Sequence, residues 1–499
     1  MLCGNCIFSV LNNMWLLTFA LIIFSVILVK YRNNSSKEFQ LLPTTRDIAA
    51  VFRLLMGMDV VSIQERYYLP ALRNDGIAKT YFRGKRGVMI SKLEYYKQIH
   101  NDNESFPKLP ILTGSYSLFH KFVGDNIGST NGKEWKLRRA IVKSLFRKSW
   151  EPIMFSSVIH DLFTLIDSMD SKTDLFEIMS LVSLDSLGSL IYGFDFQAIR
   201  NPKGEYVSAY LAAIEAASDN LYMFVPILDF FPIGSRARGH KAVEHLRGLL
   251  SNLAIDKSKE IQNAKDTQNP DDLLTVLVEA WLDKQLTMDE IVNELITFNM
   301  AGHDTNSSLL CCTIYLLAKH SDVQTKVREE IRVAFQSHTS MMELPSIAEL
   351  KSLEYLEAVI KETLRLYPPV PIVPTRITAY DTNIGHIPVP KGTLVSLNYF
   401  AMHRSDQYWD EPAKFNPSRW LAPNKPDPAL LAWGPFGGGK RICIGQSFSM
   451  TEVTVVLCML VRRYNLKLPE DSPHKNNILF RRNLILLPTD LHVNMELIV

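Results

Sequence analysis

The chain has 499 residues, 47% of them hydrophobic, and its 54 basic and 52 acidic side chains leave a net charge of +2. That composition is globular. Its near balance, with no basic run interleaved with aromatics, excludes a nucleic-acid groove and gives no reason for an acidic partner. No repeat period, low-complexity tract or Gly/Ser- or Pro-rich linker follows the first forty residues, so one large domain is expected. The six cysteines, Cys3, Cys6, Cys311, Cys312, Cys443 and Cys458, show neither a disulfide framework nor zinc-knuckle spacing. They point to a reducing compartment in which one thiol is available to a metal.

Residues 7–29 are almost wholly apolar, broken only by Ser9, Asn12, Asn13, Thr18 and Ser25, and Lys30 and Arg32 follow at once. The segment is long enough to span a bilayer. The positive charges after it place the N-terminus in the lumen and the rest of the chain in the cytosol. A cleaved signal peptide is the rival reading. It is disfavoured because the basic residues follow the apolar run and no small-x-small site ends it. The expected division is therefore a membrane anchor over 1–39 and a catalytic domain over 40–499. The sequons at Asn33 and Asn34 then face the cytosol and stay unmodified.

From 45 to 130 the signals are short and mixed, with apolar pieces such as Gly87-Val-Met-Ile90 and a loop rich in Pro, Gly and aromatics from Phe106 to Phe122. From 131 to 335 the periodicity is helical almost throughout. After Pro368 it turns to short β-like runs such as Gly392-Thr-Leu-Val-Ser-Leu397. The predicted architecture is mainly α with a small β part near each end.

Thr287-Met-Asp-Glu290 reads as a capping box opening an apolar helix of about thirty residues that should cross the core. In its middle stands Ala301-Gly-His-Asp-Thr305. Gly costs about 1 kcal/mol in a helix, and buried Asp and Thr need partners. A packing helix has no use for this patch. An active site does, because Gly and Thr at mid-helix can open the backbone ladder and leave room for a small molecule. A second helix, Ser352 to Tyr367, is closed by Pro368-Pro369 and carries Glu362 and Arg365 on one face, close enough to pair.

The third feature is Phe436-Gly-Gly-Gly-Lys-Arg-Ile-Cys-Ile-Gly445. Its glycines permit a tight turn and the close approach of backbone to a flat ligand. A thiol among free backbone N–H groups and beside Arg441 is expected to ionise below about 8.5. A phosphate loop is the bland alternative, but the Gly-Lys-Ser/Thr ending is missing and phosphate gives no role to the Cys.

In this order the three features resemble the cytochrome P-450 family of haem-thiolate monooxygenases, of the microsomal eukaryotic type, over nearly the whole chain after the anchor. The Cys loop fits Phe-x-x-Gly-x-Arg-x-Cys-x-Gly at Phe436, Gly439, Arg441, Cys443 and Gly445. Ala301 to Thr305 matches the oxygen-activating helix, Glu362 and Arg365 the Glu-x-x-Arg pair, and Arg419 the residue completing that cluster. Trp135 and Arg139 fit the Trp-x-x-x-Arg helix, and Arg376 the Arg after the Pro-rich turn. The Pro-rich hinge usual after the anchor is reduced to Pro43, which leaves the orientation on the membrane open.

The resemblance implies the cytochrome P-450 fold and haem b, with Cys443 as the axial ligand of iron. It implies proton delivery by Thr305 and Asp304, and haem contacts by Ala301, Phe436, Gly445, Trp135, Arg139, Arg376 and Arg441. Glu362, Arg365 and Arg419 brace the fold. His303 faces away from the haem, and Cys311, Cys312 and Cys458 are core. No flavin or nicotinamide fingerprint is present, so electrons come from a separate NADPH-dependent reductase docking near Lys136, Arg138 and Lys440, with cytochrome b5 as a further partner. The endoplasmic reticulum membrane is the implied location. Pocket walls are expected from Pro110 to Phe122, at Phe298 and Ala301, at Ile372 to Pro374 and at Leu484 to Leu487, all apolar, for a lipophilic substrate. Fatty acid, terpenoid, sterol and polyketide stay open. An entrance dipping into the bilayer is expected over Tyr222 to Phe231. The rival functions are an oxygen-independent haem-thiolate isomerase or dehydratase and a non-catalytic haem binder. Neither needs the acid and alcohol at Asp304 and Thr305.

Overall fold

The capping box read at Thr287 is present in three dimensions. Its hydroxyl accepts the Glu290 N–H at 3.3 Å, and a Glu290 carboxylate oxygen accepts the Thr287 N–H at 2.8 Å. The pair satisfies two donors that a helix start leaves orphaned. The helix it opens, Met288–Lys319, has 32 residues and is buried over most of its circumference. A helix apolar on all sides is stable only when covered on all sides.

The computed structural model describes residues 37–82, 85–110, 116–168, 173–230, 232–263, 272–423, 432–481 and 483–498, without the side chains of Pro374 and Thr375. The predicted anchor at 7–29 and both sequons lie outside them. In chain order, the elements that position the site are strands β1 (Ile77–Phe82) and β2 (Lys85–Ile90), followed by helices α1 (Leu93–Asn101), α2 (Leu118–Val123), α3 (Gly132–Lys143) and α4 (Leu175–Leu187). Helices α5 (Glu205–Ala217), α6 (Ser235–Asn263), α7 (Met288–Lys319) and α8 (Glu354–Leu366) come next, then strands β3 (Ile372–Ile377) and β4 (Leu394–Asn398) and helix α9 (Gln446–Arg463). The fold is mainly α with small sheets, as expected.

Helices α4, α6, α8 and α9 pack around α7. Gly302 is what lets α4 come so close, since a methyl group there would stand 2.7 Å from Leu187 Cδ2. Among the described residues Leu175–Tyr192 is the one helical stretch apolar and long enough to cross a membrane, but 83% of it is buried inside the fold, so it is a core helix.

The sheet adds a long-range pairing: the β segments near the two ends join in one four-stranded sheet of order β1-β2-β4-β3. Strand β2 pairs parallel with β4, Gly87 against Leu394, across some three hundred residues of chain. Each run is too short to be stable alone. Strand β3 carries a bulge between Val373 and Arg376, the kind of irregularity that re-aims a side chain. Phe39 is buried with Ile77 and Val88 in the core under this sheet, so the packed body reaches back to the short helix Lys37–Leu41, slightly before the predicted boundary at 40.

Candidate active site

The loop before α9 is closed by the Cys443 N–H, which donates to the Phe436 carbonyl at 2.8 Å. Gly439 has φ +62°, and a Cβ there would fall 2.3 Å from the His100 carbonyl oxygen, so both strain and space demand glycine. Cys443 is exposed, and so is Ala301 in the middle of α7, between turns that are buried. Burial nevertheless pushes the Cys443 thiol up. A group that is open to solvent yet penalised as buried faces a space inside the fold. Asn306 sets α7 against α9 there: its amide oxygen accepts the Ser449 hydroxyl at 2.6 Å and its amide nitrogen donates to Glu452.

The electrostatics differ from the expectation in two respects. The Gly445 and Gln446 N–H groups do favour the thiolate, but burial outweighs them. The guanidinium beside the sulfur is that of Arg139, whose Nη2 donates to the Ile442 carbonyl at 3.2 Å. Arg441 turns the other way, donating to the carbonyls of Thr130 at 2.6 Å and Ile127 at 3.3 Å and to Asn131 Oδ1 at 3.2 Å. It lies 4.1 Å from the centre of the Trp135 ring.

Beside Arg441 stands a second cation set. Arg376 is 2% exposed and donates through Nη1 to Asn103 Oδ1 at 2.8 Å and the Phe106 carbonyl at 2.7 Å. Its buried Nη2 has no partner among the described residues. Lys108 adjoins it and is pushed down to about 7 by burial, Arg376 and Arg441. Arg441 itself is pushed down to about 10, by burial first and then by Arg376 and Arg139. Among the described residues no carboxylate is within ion-pair distance of Lys108, Arg139, Arg376 or Arg441. Buried cations are normally paired, so this cluster fits a ligand that brings its own carboxylates. Lys108 was missed in the sequence. Its one signal is a Lys between two prolines, Pro107-Lys-Leu-Pro110, in an otherwise apolar loop. Asn131 was missed as well: it clamps Lys108 by both backbone groups, each at 2.9 Å.

Glu362, by contrast, has no capacity left. Arg365 grips it with two bonds of 2.9 and 2.8 Å, Arg419 adds one at 3.0 Å and the Trp420 indole another at 3.0 Å. Arg365 also donates to the carbonyls of His403, Pro412 and Lys414. Every lone pair and proton is used, so this is a fully satisfied buried ion cluster.

On α7, the Thr305 hydroxyl donates to the Ala301 carbonyl at 2.6 Å, which leaves its lone pairs to accept. Asp304 is buried beside His303. His303 points into the helical core, where its partners are polar.

Arg138 is a correction. Expected at a docking surface, it is 1% exposed in its side chain and salt-bridged to Glu134, Glu290 and Glu294 at 2.9, 2.7 and 3.0 Å. Lys136 and Lys440 do lie at the surface. Of the expected pocket walls, Phe298 stacks on Phe146 and Phe122 is fully buried. Leu486 and Leu487 pack into the main core, whereas Leu484 is exposed. Residues 111–115 and the Pro374 side chain lie outside the described residues.

A cysteine loop at the head of one core helix, a glycine–acid–alcohol patch on the helix packed against it, and acid-free cations around an internal space define a haem-thiolate enzyme. The chain belongs to the cytochrome P-450 family, whose model matches residues 64–495. It is 30% identical over 378 residues to cytochrome P-450 4F4 of Rattus norvegicus, covering 72% of this chain and 71% of that one. It is 29% identical over 376 residues to leukotriene-B4 omega-hydroxylase 3 of Mus musculus (72% and 71%). It is 28% identical over 437 residues to the chloroplastic protein LUTEIN DEFICIENT 5 of Arabidopsis thaliana (82% and 71%). The crystal structure of a cytochrome P-450DA mutant heme domain superposes with a TM-score of 0.72 at 19% identity, covering 87% of this chain and 93% of that one, and shows the same fold. The chain is therefore a haem-iron monooxygenase that takes electrons from a redox partner and acts on lipophilic molecules.

Proposed function

We propose that this enzyme inserts one oxygen atom from O2 into the aliphatic part of a lipophilic carboxylic acid or related lipid. Support for an aliphatic acid comes from the relative named an omega-hydroxylase of leukotriene B4 and from the aromatic packing at Phe298 and Phe146 beside the site. The observation that carries an oxygenase reading is the pair Asp304 and Thr305 on the α7 segment whose Ala301 opens onto internal space. An isomerase or a simple haem carrier would have no use for it.

When bound, haem b supplies oxygen activation at an iron whose electron density is raised by a thiolate ligand. Cys443 would be that ligand, and the Gly445 and Gln446 N–H groups would temper its charge. Arg139, Arg376 and Arg441 would hold the haem carboxylates, as guanidinium geometry favours, joined by the Trp135 indole N–H and the Lys108 ammonium. Ala301, Phe436 and Gly445 would contact the haem when it is bound. Thr305 accepts a hydrogen bond, because its own proton is committed to Ala301, and Asp304 brings the proton forward.

Electrons come from an NADPH-dependent flavoprotein reductase, with cytochrome b5 as an accessory donor, at the surface of Lys136 and Lys440. An anchor within 1–39 fixes the domain over 40–499 to the endoplasmic reticulum membrane, facing the cytosol. Ile227, Phe230 and Ile233 are 62, 55 and 78% exposed, which supports a bilayer contact near Tyr222 to Phe231, although Phe231 itself lies outside the described residues.

The test is the optical spectrum of the reduced, carbon monoxide-bound protein beside Cys443→His, followed by mass analysis of products from NADPH, reductase and a panel of fatty acids. A red-shifted Soret band lost in the variant, with a hydroxylated acid formed, supports the reading. Product formed without NADPH and oxygen would turn it to the isomerase. NADPH-dependent oxidation of terpenoids or sterols alone would overturn the substrate class.

A further inference from the structure

His303 is 2% exposed on α7, and polar groups from two other helices meet it there. Its Nε2 meets the Ser180 hydroxyl of α4, its Nδ1 lies 3.3 Å from the Tyr210 hydroxyl of α5, and the two rings stand edge-on at 5.3 Å. Successive helix residues diverge by roughly a quarter turn or more. Asp304 nevertheless brings Oδ1 back to 3.0 Å from the same Nδ1. No Lys or Arg is within ion-pair distance of Asp304 among the described residues, so the imidazole is its ionisable partner. Asp304 Oδ2 makes no hydrogen bond among them and is not one of the sealed-off buried polar atoms.

A carboxylate only accepts, so the ring faces Asp304 favourably when Nδ1 carries a proton; Nε2 can then accept from Ser180, and the Tyr210 oxygen lies on the same Nδ1. Burial and the neighbouring Asp304 charge hold the Tyr210 phenol well above its ordinary value, so it stays protonated. A buried carboxylate with a single weak anchor would sample several rotamers. One set at ion-pair distance from a ring that Ser180 and Tyr210 of two other helices hold in place has fewer rotamers open to it.

We infer that His303 is a positioning residue, clamping Asp304 Oδ1 so that Oδ2 is held ready to pass a proton toward Thr305. The inference deepens the oxygenase reading and rests on it.

The test uses the full chain in membranes with reductase, with and without dodecanoic acid, and four variants. Asp304→Asn is the benchmark. His303→Phe removes the clamp, His303→Gln moves the donor to the Nε2 position, and His303→Asn restores it near Nδ1. General acid catalysis is worth about 10²–10⁴ in rate, and losing its positioning should cost roughly tenfold of that. NADPH consumption is therefore expected to fall about tenfold in H303F and H303Q and to recover to within about twofold in H303N. Adding H303F to D304N should cause no further loss. Without turnover, the C–O stretch of the carbon monoxide complex should broaden in H303F and D304N and stay narrow in H303N. Wild-type rates in H303F beside a slow D304N would overturn the inference, as would additive losses or loss of the thiolate carbon monoxide band in every His303 variant. A D304N with unchanged rate and unchanged solvent isotope effect would instead remove the proton role of Asp304.

Discussion

Lys108 and Arg376 face each other across an isolated antiparallel bridge, two cations on adjoining backbone with one guanidinium nitrogen that has no partner among the described residues. Asn131 locks the Lys108 backbone and also touches Arg441. Replacing Lys108 by Met should speed haem transfer to apomyoglobin by roughly 10- to 100-fold, since a charge-assisted hydrogen bond is worth about 1.5–3 kcal/mol. The propionate bands in the resonance Raman spectrum should move while the Soret maximum stays in place. An unchanged transfer rate would remove Lys108 from the haem-carboxylate set.

Glu362 and Arg365 are fully buried partners, whereas Arg419 keeps 12% of its side chain exposed. Removing one member of such a pair strands the other, at a cost on the order of 3–5 kcal/mol. Glu362→Ala should therefore abolish folded, haem-loaded protein. Arg419→Ala should keep the carbon monoxide band and unfold at a lower temperature. Equal behaviour of the two variants in thermal unfolding would refute this ranking.

The burial of Arg138 separates two kinds of basic residue that adjoin on α3. Reversing charge at Lys136 or Lys440 should raise the reductase concentration needed for half-maximal turnover and flatten its salt dependence, without changing stability. Arg138→Ala should do the reverse, lowering thermal stability by stranding Glu294. Titration of each variant with reductase at two ionic strengths, alongside its melting curve, decides the matter.

Glu452 is fully buried on α9 with Asn306 as its hydrogen-bond donor, and burial pushes it up to about 8. The folded chain thus holds a proton that the unfolded chain has released. Its contribution to stability is complete below about pH 4.5 and is lost as pH rises through about 8. Stability measured from pH 5 to 8.5 should decline with pH, and Glu452→Gln should flatten that decline. An identical slope in the variant would show that Glu452 is already ionised in the fold.

What could be read along the chain was whatever is carried by near neighbours. The Phe436 to Gly445 loop is contiguous, so its glycines and thiol announced a built site. Glu362 and Arg365, three residues apart, predicted their own pairing. Arg138 misled for the opposite reason. Its partner Glu134 is four residues away, but Glu290 and Glu294, which bury it, lie about 150 residues on. Lys108 carried only the weak signal of its place between Pro107 and Pro110, and nothing near it indicates that Arg376 and Arg441 will stand beside it.

The order of residues was enough for the family, the mainly helical architecture, the cysteine loop and the capped helix α7, because caps, turns and helical pairs depend on atoms a few positions apart. Long-range packing settled the rest: one sheet built from both ends of the chain, Arg139 rather than Arg441 beside the sulfur, and His303 beside Asp304 and bonded to two other helices. Those outcomes depend on burial and on charges brought close from distant segments, quantities that have no value until the chain has closed around them.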